Sequence, residues 1–320
     1  LGVSEVKILH VTDRDFPLTG DEGGAPQSLI ALVDAQNKQG HDAGIVTTGS
    51  SRVASIHSIS GRGGEAQKLL ELCVDTGVDI VHFHAEANRL QPTLMQRRIM
   101  SVTHVRGLHD PSLDRSINRI YVSRSHAQQH RGRRYVYNGI DVQDIPYRED
   151  PGQYLAFLGK VRRSKKGAAE AIAAAKKCKH PLRIAGGRKF KIKETWLPFQ
   201  SLISTLGVLG GGEKYEFLGN AKALLFPIRW EEPFGLVMIE AMATGTPVIA
   251  FNRGAVPEIV KDGVTGFVVE DLEGMCAAIG NISSLSRSQC RRHVQESFSI
   301  ERTSSSVIGC YQDALAGSIW

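Results

Sequence analysis

Short apolar, β-branched segments alternate with longer helical stretches from one end of this chain to the other. That alternation limits the fold more than any other feature. Strands are expected at residues 6–11, 43–48, 78–83, 101–105, 119–122 and 134–137, and again at 154–158, 182–185, 223–227, 247–250 and 265–269. Helical patterns fall between them, at 26–39, 167–178, 234–243 and 272–279. Repeated strand-then-helix order predicts parallel sheets covered on both faces, an α/β architecture. The order breaks at 142–152, where Pro146, the charged run Arg148-Glu149-Asp150 and Pro151-Gly152 read as a linker. With 320 residues the chain is long enough for two cores. The expected organisation is a doubly wound domain over residues 1–142, a second over 143–299, and a terminal helix in 300–320. In such sheets ligands bind beyond the carboxyl ends of the strands, so motifs just after strands deserve the closest reading.

Composition removes several classes. Hydrophobic residues make up 42% and charged residues 22%, which excludes a disordered or collagen-like chain. No apolar run approaches the ~20 residues that span a bilayer, and Leu1-Gly2-Val3-Ser4-Glu5 carries no basic-then-apolar leader pattern. The five cysteines are scattered without a CxxC spacing, as expected of reduced thiols in a cytoplasmic protein without a cysteine-based zinc site. Net charge is only +6, but residues 160–193 hold thirteen Lys or Arg residues against one acid, Glu170. Such a field favours an anionic ligand or an anionic membrane surface, with a solvated basic face as the alternative. Only Phe190 interleaves it, which argues against nucleic acid.

The most informative segment follows the expected strand ending at Phe226-Pro227 and runs from Trp230 to Ala243. Pro233 suits the first turn of a helix, where a missing N–H costs nothing. Gly235 permits close approach of a ligand to backbone amides at the helix start, a setting that favours phosphate. Glu232 and Glu240 flank this point, and carboxylates accept well from sugar hydroxyls. The plain alternative is a capping glutamate followed by an exposed helical one.

The run Glu232-Pro233-Phe234-Gly235-Leu236-Val237-Met238-Ile239-Glu240-Ala241-Met242-Ala243-Thr244-Gly245-Thr246-Pro247 resembles the retaining glycosyltransferases of family 4, of GT-B fold. So do Gly254-Ala255-Val256-Pro257-Glu258 and Asp262-Gly263-Val264-Thr265-Gly266-Phe267 after it. The resemblance implies two Rossmann-like domains facing a cleft, the second binding a nucleotide-sugar donor and the first serving the acceptor, with the terminal helix of residues 300–320 packing back on the first. It implies that Glu232 contacts donor-sugar hydroxyls and Glu240 the ribose diol, with Pro233, Phe234, Gly235, Leu236 and Val237 beside the donor. Phe157-Leu158-Gly159-Lys160-Val161-Arg162-Arg163-Ser164-Lys165-Lys166-Gly167 is similar to the family's basic turn, whose two cations neutralise the diphosphate. Lys160 stands where the family usually has arginine, and lysine lacks the bidentate fork. The turn is one residue long, so Lys166 beside Gly167 is taken for the family lysine, although Lys165 keeps the spacing.

Gly23 and Gly24 match the family's glycine-rich loop after the first strand, which reaches toward the donor. A family histidine that faces the donor sugar falls in Ser101–Asp110, where three residues compete. Arg106 takes the aligned place, with His104 and His109 on either side, and His109 is preferred as the catalytic candidate. No cofactor and no metal are expected beyond a UDP- or GDP-linked donor as substrate. The acceptor is a sugar, a lipid-linked or a small-molecule hydroxyl. Rival readings are a nucleotide-sugar epimerase, a phosphorylase or a non-catalytic relative.

Two decoys remain. Gly61-Arg62-Gly63-Gly64-Glu65-Ala66 fits a dinucleotide fingerprint but does not follow the first strand of a domain. His82 and His84 share one face of a strand as metal ligands would, yet no third ligand is legible nearby. Residues 186–213 read as compressed where a strand and a base-proximal loop are expected.

Overall fold

Every strand pairing among the described residues is parallel, so each crossover must pass over a sheet face. The structure is a computed structural model, and it describes residues 5–18, 24–60, 64–84, 89–107, 117–187 and 202–320. From the amino end run β1 (Lys7–Thr12), α1 (Gly24–Lys38), β2 (Asp42–Thr47), β3 (Ile56–Ser58), α2 (Glu65–Thr76), β4 (Ile80–His84), α3 (Gln91–Gln96), β5 (Ser101–Val105), β6 (Arg119–Tyr121), α4 (Arg124–Gln129) and β7 (Arg134–Tyr135). There follow β8 (Tyr154–Leu158), α5 (Ala168–Lys177), β9 (Leu182–Ala185), β10 (Ile203–Gly207), α6 (Gly211–Gly219), β11 (Ala221–Phe226) and α7 (Leu236–Ala243). The last elements are β12 (Val248–Phe251), α8 (Val256–Ile259), β13 (Gly266–Val269), α9 (Leu272–Asn281), α10 (Arg287–Ser297) and α11 (Ile300–Leu315).

The chain forms two units, Leu1–Gly139 with Ile300–Trp320, and Ile140–Ser299. In the first the sheet order is β3-β2-β1-β4-β5-β6-β7; in the second it is β10-β9-β8-β11-β12-β13. Both reverse direction of winding beside their first strand, between β1 and β4 and between β8 and β11. That switch point leaves a crevice beyond the strand ends where ligands bind in such sheets.

Period-two alternation sorts the side chains of unit 1. Ile8, Ile80, Val102 and Ile120 face Val307, Tyr311 and Ala314 of α11, whereas Leu9, Val11, Val81 and Phe83 face Leu69 and Cys73 of α2. The i, i+4, i+7 spacing of the α11 residues makes one apolar stripe, so the terminal helix belongs to the unit 1 core. Each fully buried side chain of this size contributes about 1.5–3 kcal/mol. In unit 2, Leu155, Phe157, Ala223, Leu225, Ile249 and Phe251 pack on α5 and α9. The alanines of α5 (Ala171, Ala174 and Ala175, all buried) bring that helix close to its sheet.

Local reading missed two edge strands. β3 is three residues long and mostly exposed, with no apolar run to announce it. β10 pairs with β9 through Ile203↔Leu182, so the segment read as compressed does contain a strand. The stretch read as a linker is also tied down. Arg291 on α10 donates to the carbonyls of Val142 (2.6 Å) and Ile145 (2.8 Å), and Arg287 donates to that of Arg148 (2.8 Å). Two arginines on a later helix thus fix a segment whose own composition signals freedom. Among the described residues no helix is long and apolar enough to cross a membrane.

Candidate functional site

In unit 2 the crevice-side loops converge on the amino end of α7. The helix begins at Leu236, two residues later than the sequence suggested, because Gly235 has φ +87° and cannot join a right-handed helix. Pro233 therefore lies in the lead-in loop and not in the first helical turn, a correction to its expected place. Phe234, by contrast, is buried and stacks edge-on against Phe298 at 5.9 Å, anchoring the loop. Leu236 and Val237 open the helix proper.

Glu232 is buried, and its backbone is gripped by the loop after β12. The Ala255 amide donates to the Glu232 carbonyl (2.9 Å), and the Gly254 amide donates to the Glu231 carboxylate (2.7 Å). Gly254 has φ +57°, and a β-carbon there would overlap the Glu232 backbone. The Glu232 side chain receives a hydrogen bond from Lys166 Nζ at 2.7 Å. Lys166 sits in a 3-10 turn, Ser164–Lys166, ended by Gly167 at φ +79°. There a β-carbon would collide with the Pro227 carbonyl, so only glycine lets this turn lie against the end of β11. Lys165, the alternative by spacing, rests over the Trp230 ring with Nζ 3.8 Å from its centroid. The structure thus brings Lys166, and not Lys165, to Glu232. Lys160 is exposed just beyond β8.

Glu240 is also buried, in the second turn of α7, and it too is held by a lysine. Lys214 Nζ on α6 donates to Glu240 Oε1 at 2.8 Å and lies 4.7 Å from the Tyr215 ring. Burial pushes the Lys214 ammonium down, but Glu240 and Tyr215 together outweigh it and raise its pKa above the ordinary lysine value. Burial likewise raises the Tyr215 hydroxyl. Sequence reading did not find Lys214; it lies 26 residues before Glu240, on another element, with no motif around it. Unit 2 thus presents two buried carboxylates, each engaged by an ammonium, around backbone opened by glycine.

The unit 1 candidates divide. Gly24 is the first residue of α1; Gly23 and His109 lie outside the described residues. His104 stands on β5, its ring stacked on that of His82 (5.3 Å, 4° between planes). It is buried, as are His10, His82 and His84. Arg106 follows β5, and burial pushes its pKa down to about 10. Burial, and then the neighbouring cations and rings, hold His82, His84 and His104 well below the usual histidine range; His10 is lowered to about 4. The third histidine that sequence spacing failed to supply beside His82 and His84 is His10, delivered by strand pairing. Of the dinucleotide-like run, Gly64 caps α2 and follows β3 rather than β1.

Comparison with known proteins bears on both units. Residues 152–284 match the family described as glycosyl transferases group 1. Glycogen synthase of Mycobacterium tuberculosis (strain ATCC 25618 / H37Rv) is 34% identical over 166 residues, covering 46% of this chain and 39% of that protein. Phosphatidyl-myo-inositol mannosyltransferase of Mycolicibacterium smegmatis is 30% identical over 156 residues, covering 44% of this chain and 40% of that protein. The chain thus matches only about two-fifths of the length of these curated relatives. Among solved structures, AviGT4, a glycosyltransferase of avilamycin A biosynthesis, superposes with a TM-score of 0.75 at 20% identity, over 98% of this chain and 99% of that one. Anabaena Alr3699/HepE in complex with UDP gives 0.79 at 16% identity, over 96% and 100%. The fold is GT-B, with two Rossmann-like α/β units.

Proposed function

We propose that this protein is a retaining glycosyltransferase of family 4 that moves a sugar from a nucleoside-diphosphate sugar to an acceptor hydroxyl. The observation that carries the reading is the pair of buried carboxylates, Glu232 and Glu240, set on either side of the glycine-opened start of α7. It falls within the stretch that matches the group 1 glycosyl transferases. Carboxylate oxygens held in place by ammonium groups are acceptors, the chemistry that sugar and ribose hydroxyls need.

In this reading unit 2 takes the donor. Glu240 accepts from the ribose diol, and Glu232 accepts from hydroxyls of the donor sugar. Amides near Gly235, Leu236 and Val237 face the phosphates, while Lys166 and Lys160 offset the charge that grows on the departing diphosphate. Lys160 must swing in from solvent, so Lys166 is the better organised of the two. The acceptor hydroxyl attacks on the face from which the diphosphate leaves, and the leaving phosphate takes its proton. Arg106 and His109 serve the sugar side, and Gly23 and Gly24 the phosphates. Unit 1 receives the acceptor, whether a sugar, a lipid-linked or a small-molecule hydroxyl. The donor is a substrate and no cofactor takes part. The basic face around Lys160–Lys166 favours an anionic membrane surface as the place where a cytoplasmic enzyme meets a lipid-linked acceptor.

Relatives by name use different nucleotides. A mouse protein is named for GDP-mannose, and HepE is solved with UDP. Calorimetric titration of UDP and of GDP, without metal, into the wild type and Glu240→Ala tests the reading. Micromolar binding of one nucleotide, weakened at least tenfold by the substitution, supports it. Binding unaffected by the substitution, or no binding of either nucleotide by the folded protein, overturns the site assignment.

A further inference from the structure

Four histidines come together on the α1/α11 side of the unit 1 sheet, and no reading of the glycosyl-transfer site uses three of them. Strand register places them there. His10 on β1 pairs with His82 on β4, and His84, two residues on, pairs with His104 on β5. One ring nitrogen from each of His10, His82 and His84 lies within 4.8 Å of the other two, and all three residues are buried. His82 Nε2, His84 Nδ1 and both nitrogens of His104 are buried with no hydrogen-bond partner among the described residues, which is costly unless something else occupies the point where the rings meet.

The surrounding hydrogen bonds decide which nitrogens face that point. Gln36 Nε2 donates to the Tyr311 hydroxyl (3.4 Å), so its Oε1 is the acceptor for His10 Nε2–H at 2.7 Å. His10 then has a bare Nδ1, which lies 2.9 Å from His84 Nε2. His82 Nδ1 meets the Tyr311 hydroxyl at 2.5 Å, leaving Nε2 without a hydrogen-bond partner among the described residues. Metal-bound histidines characteristically give their other N–H to an oxygen that fixes tautomer and ring angle, and Gln36 and Tyr311 stand where such partners would for His10 and His82, while His84 Nδ1 has none among the described residues.

We propose that His10 Nδ1, His82 Nε2 and His84 Nε2 form a structural binding site for a divalent late-transition-metal ion, zinc by preference. Imidazole nitrogen suits Zn²⁺, and three protein ligands leave a fourth position for a water-derived oxygen. Bonds of about 2.0–2.1 Å require nitrogens about 3.3 Å apart, so no pair closes by more than about 1.5 Å and the His10–His84 pair, now at 2.9 Å, opens slightly. Rotation of an imidazole about its soft terminal torsion covers that distance. The ion joins β1 to β4 directly and, through Gln36 and Tyr311, anchors α1 and α11 to the same point. The guanidinium of Arg106 raises the electrostatic cost of a dication here and weakens its binding. The inference does not rest on the transfer reaction proposed above.

Metal-stripped protein is loaded with Co²⁺ or Zn²⁺ and passed through gel filtration. The expected result is one equivalent retained and a raised thermal midpoint. Co²⁺ should show the intense visible absorption of a four-coordinate centre, with no near-ultraviolet thiolate band. His82→Gln should abolish retention, and the exposed-histidine control His57→Gln should keep it. Tyr311→Phe, which removes a supporting hydrogen bond and no ligand, should weaken binding about tenfold, and it decides the matter should His82→Gln fail to fold. No retained metal, a six-coordinate spectrum, a thiolate band, or affinity unchanged in Tyr311→Phe overturns the proposal.

Discussion

Lys214→Met isolates the interaction that the sequence concealed. In the native site Lys214 and Glu240 touch at 2.8 Å with side chains only 12% and 10% exposed. Their mutual attraction, at about 4 Å between charge centres and an effective dielectric of ~20, is about 4 kcal/mol. Desolvation of both ions offsets about half of this, leaving a net coupling of about 2 kcal/mol. Removing the ammonium alone strands a buried carboxylate, and Lys214→Met is expected to lower stability by about 2–3 kcal/mol. Glu240→Gln keeps an acceptor for Lys214 and should cost less, about 1–2 kcal/mol. Urea denaturation of the wild type, both single variants and the double variant closes the cycle. The double variant should be more stable than the sum of the singles predicts, by about 2 kcal/mol. A coupling under about 0.5 kcal/mol, the value of an exposed ion pair, would refute the argument that burial makes this pair strong. The pH dependence supplies a second check. A lysine whose folded pKa is raised adds stability that is complete below 10.5, its ordinary value, and is lost as pH climbs through the higher folded one. From neutrality upward the coupling must therefore stay flat to about pH 10.5 and fade in stronger alkali.

Two further outcomes follow from particular contacts. Gly167→Ala places a β-carbon against the Pro227 carbonyl at a backbone angle L-residues avoid; it should cost about 2–3 kcal/mol in denaturation and, by moving Lys166, weaken nucleotide binding in calorimetry. His126 is held neutral by burial, its pKa lowered to about 4, so the unfolded chain takes a proton between pH 6.5 and 4 that the folded one refuses. His126→Gln should therefore remove up to about 3 kcal/mol of the stability lost over that acid range, with little change above pH 6.5; an unaltered acid limb in pH-dependent melting would count against this.

Much of the unit 2 site was legible because its residues are neighbours in sequence. Glu232, Gly235 and Glu240 fall within one strand-exit loop and the helix after it, and the turn bearing Lys160 and Lys166 follows a strand in the same way. Spacing alone could not choose between Lys165 and Lys166. The collision a side chain at Gly167 would suffer fixes the path of that turn, and the path sends one lysine to Glu232 and the other to Trp230. The start of α7 was misplaced by two residues, since composition reveals a glycine and not the sign of its φ angle.

What the sequence determined by itself was everything carried by period and punctuation: two parallel α/β sheets and the strand ends that bear motifs. Tertiary structure decided which distant residues meet. Lys214 reaches Glu240 because α6 packs beside α7. His10 reaches His84 across 74 residues because β1 and β4 are neighbours at the switch point of the sheet. Local pattern reports which face a residue occupies, since alternation is a property of the backbone; which strand lies alongside is set by the burial of whole faces, a sum over the entire core that no single segment contains.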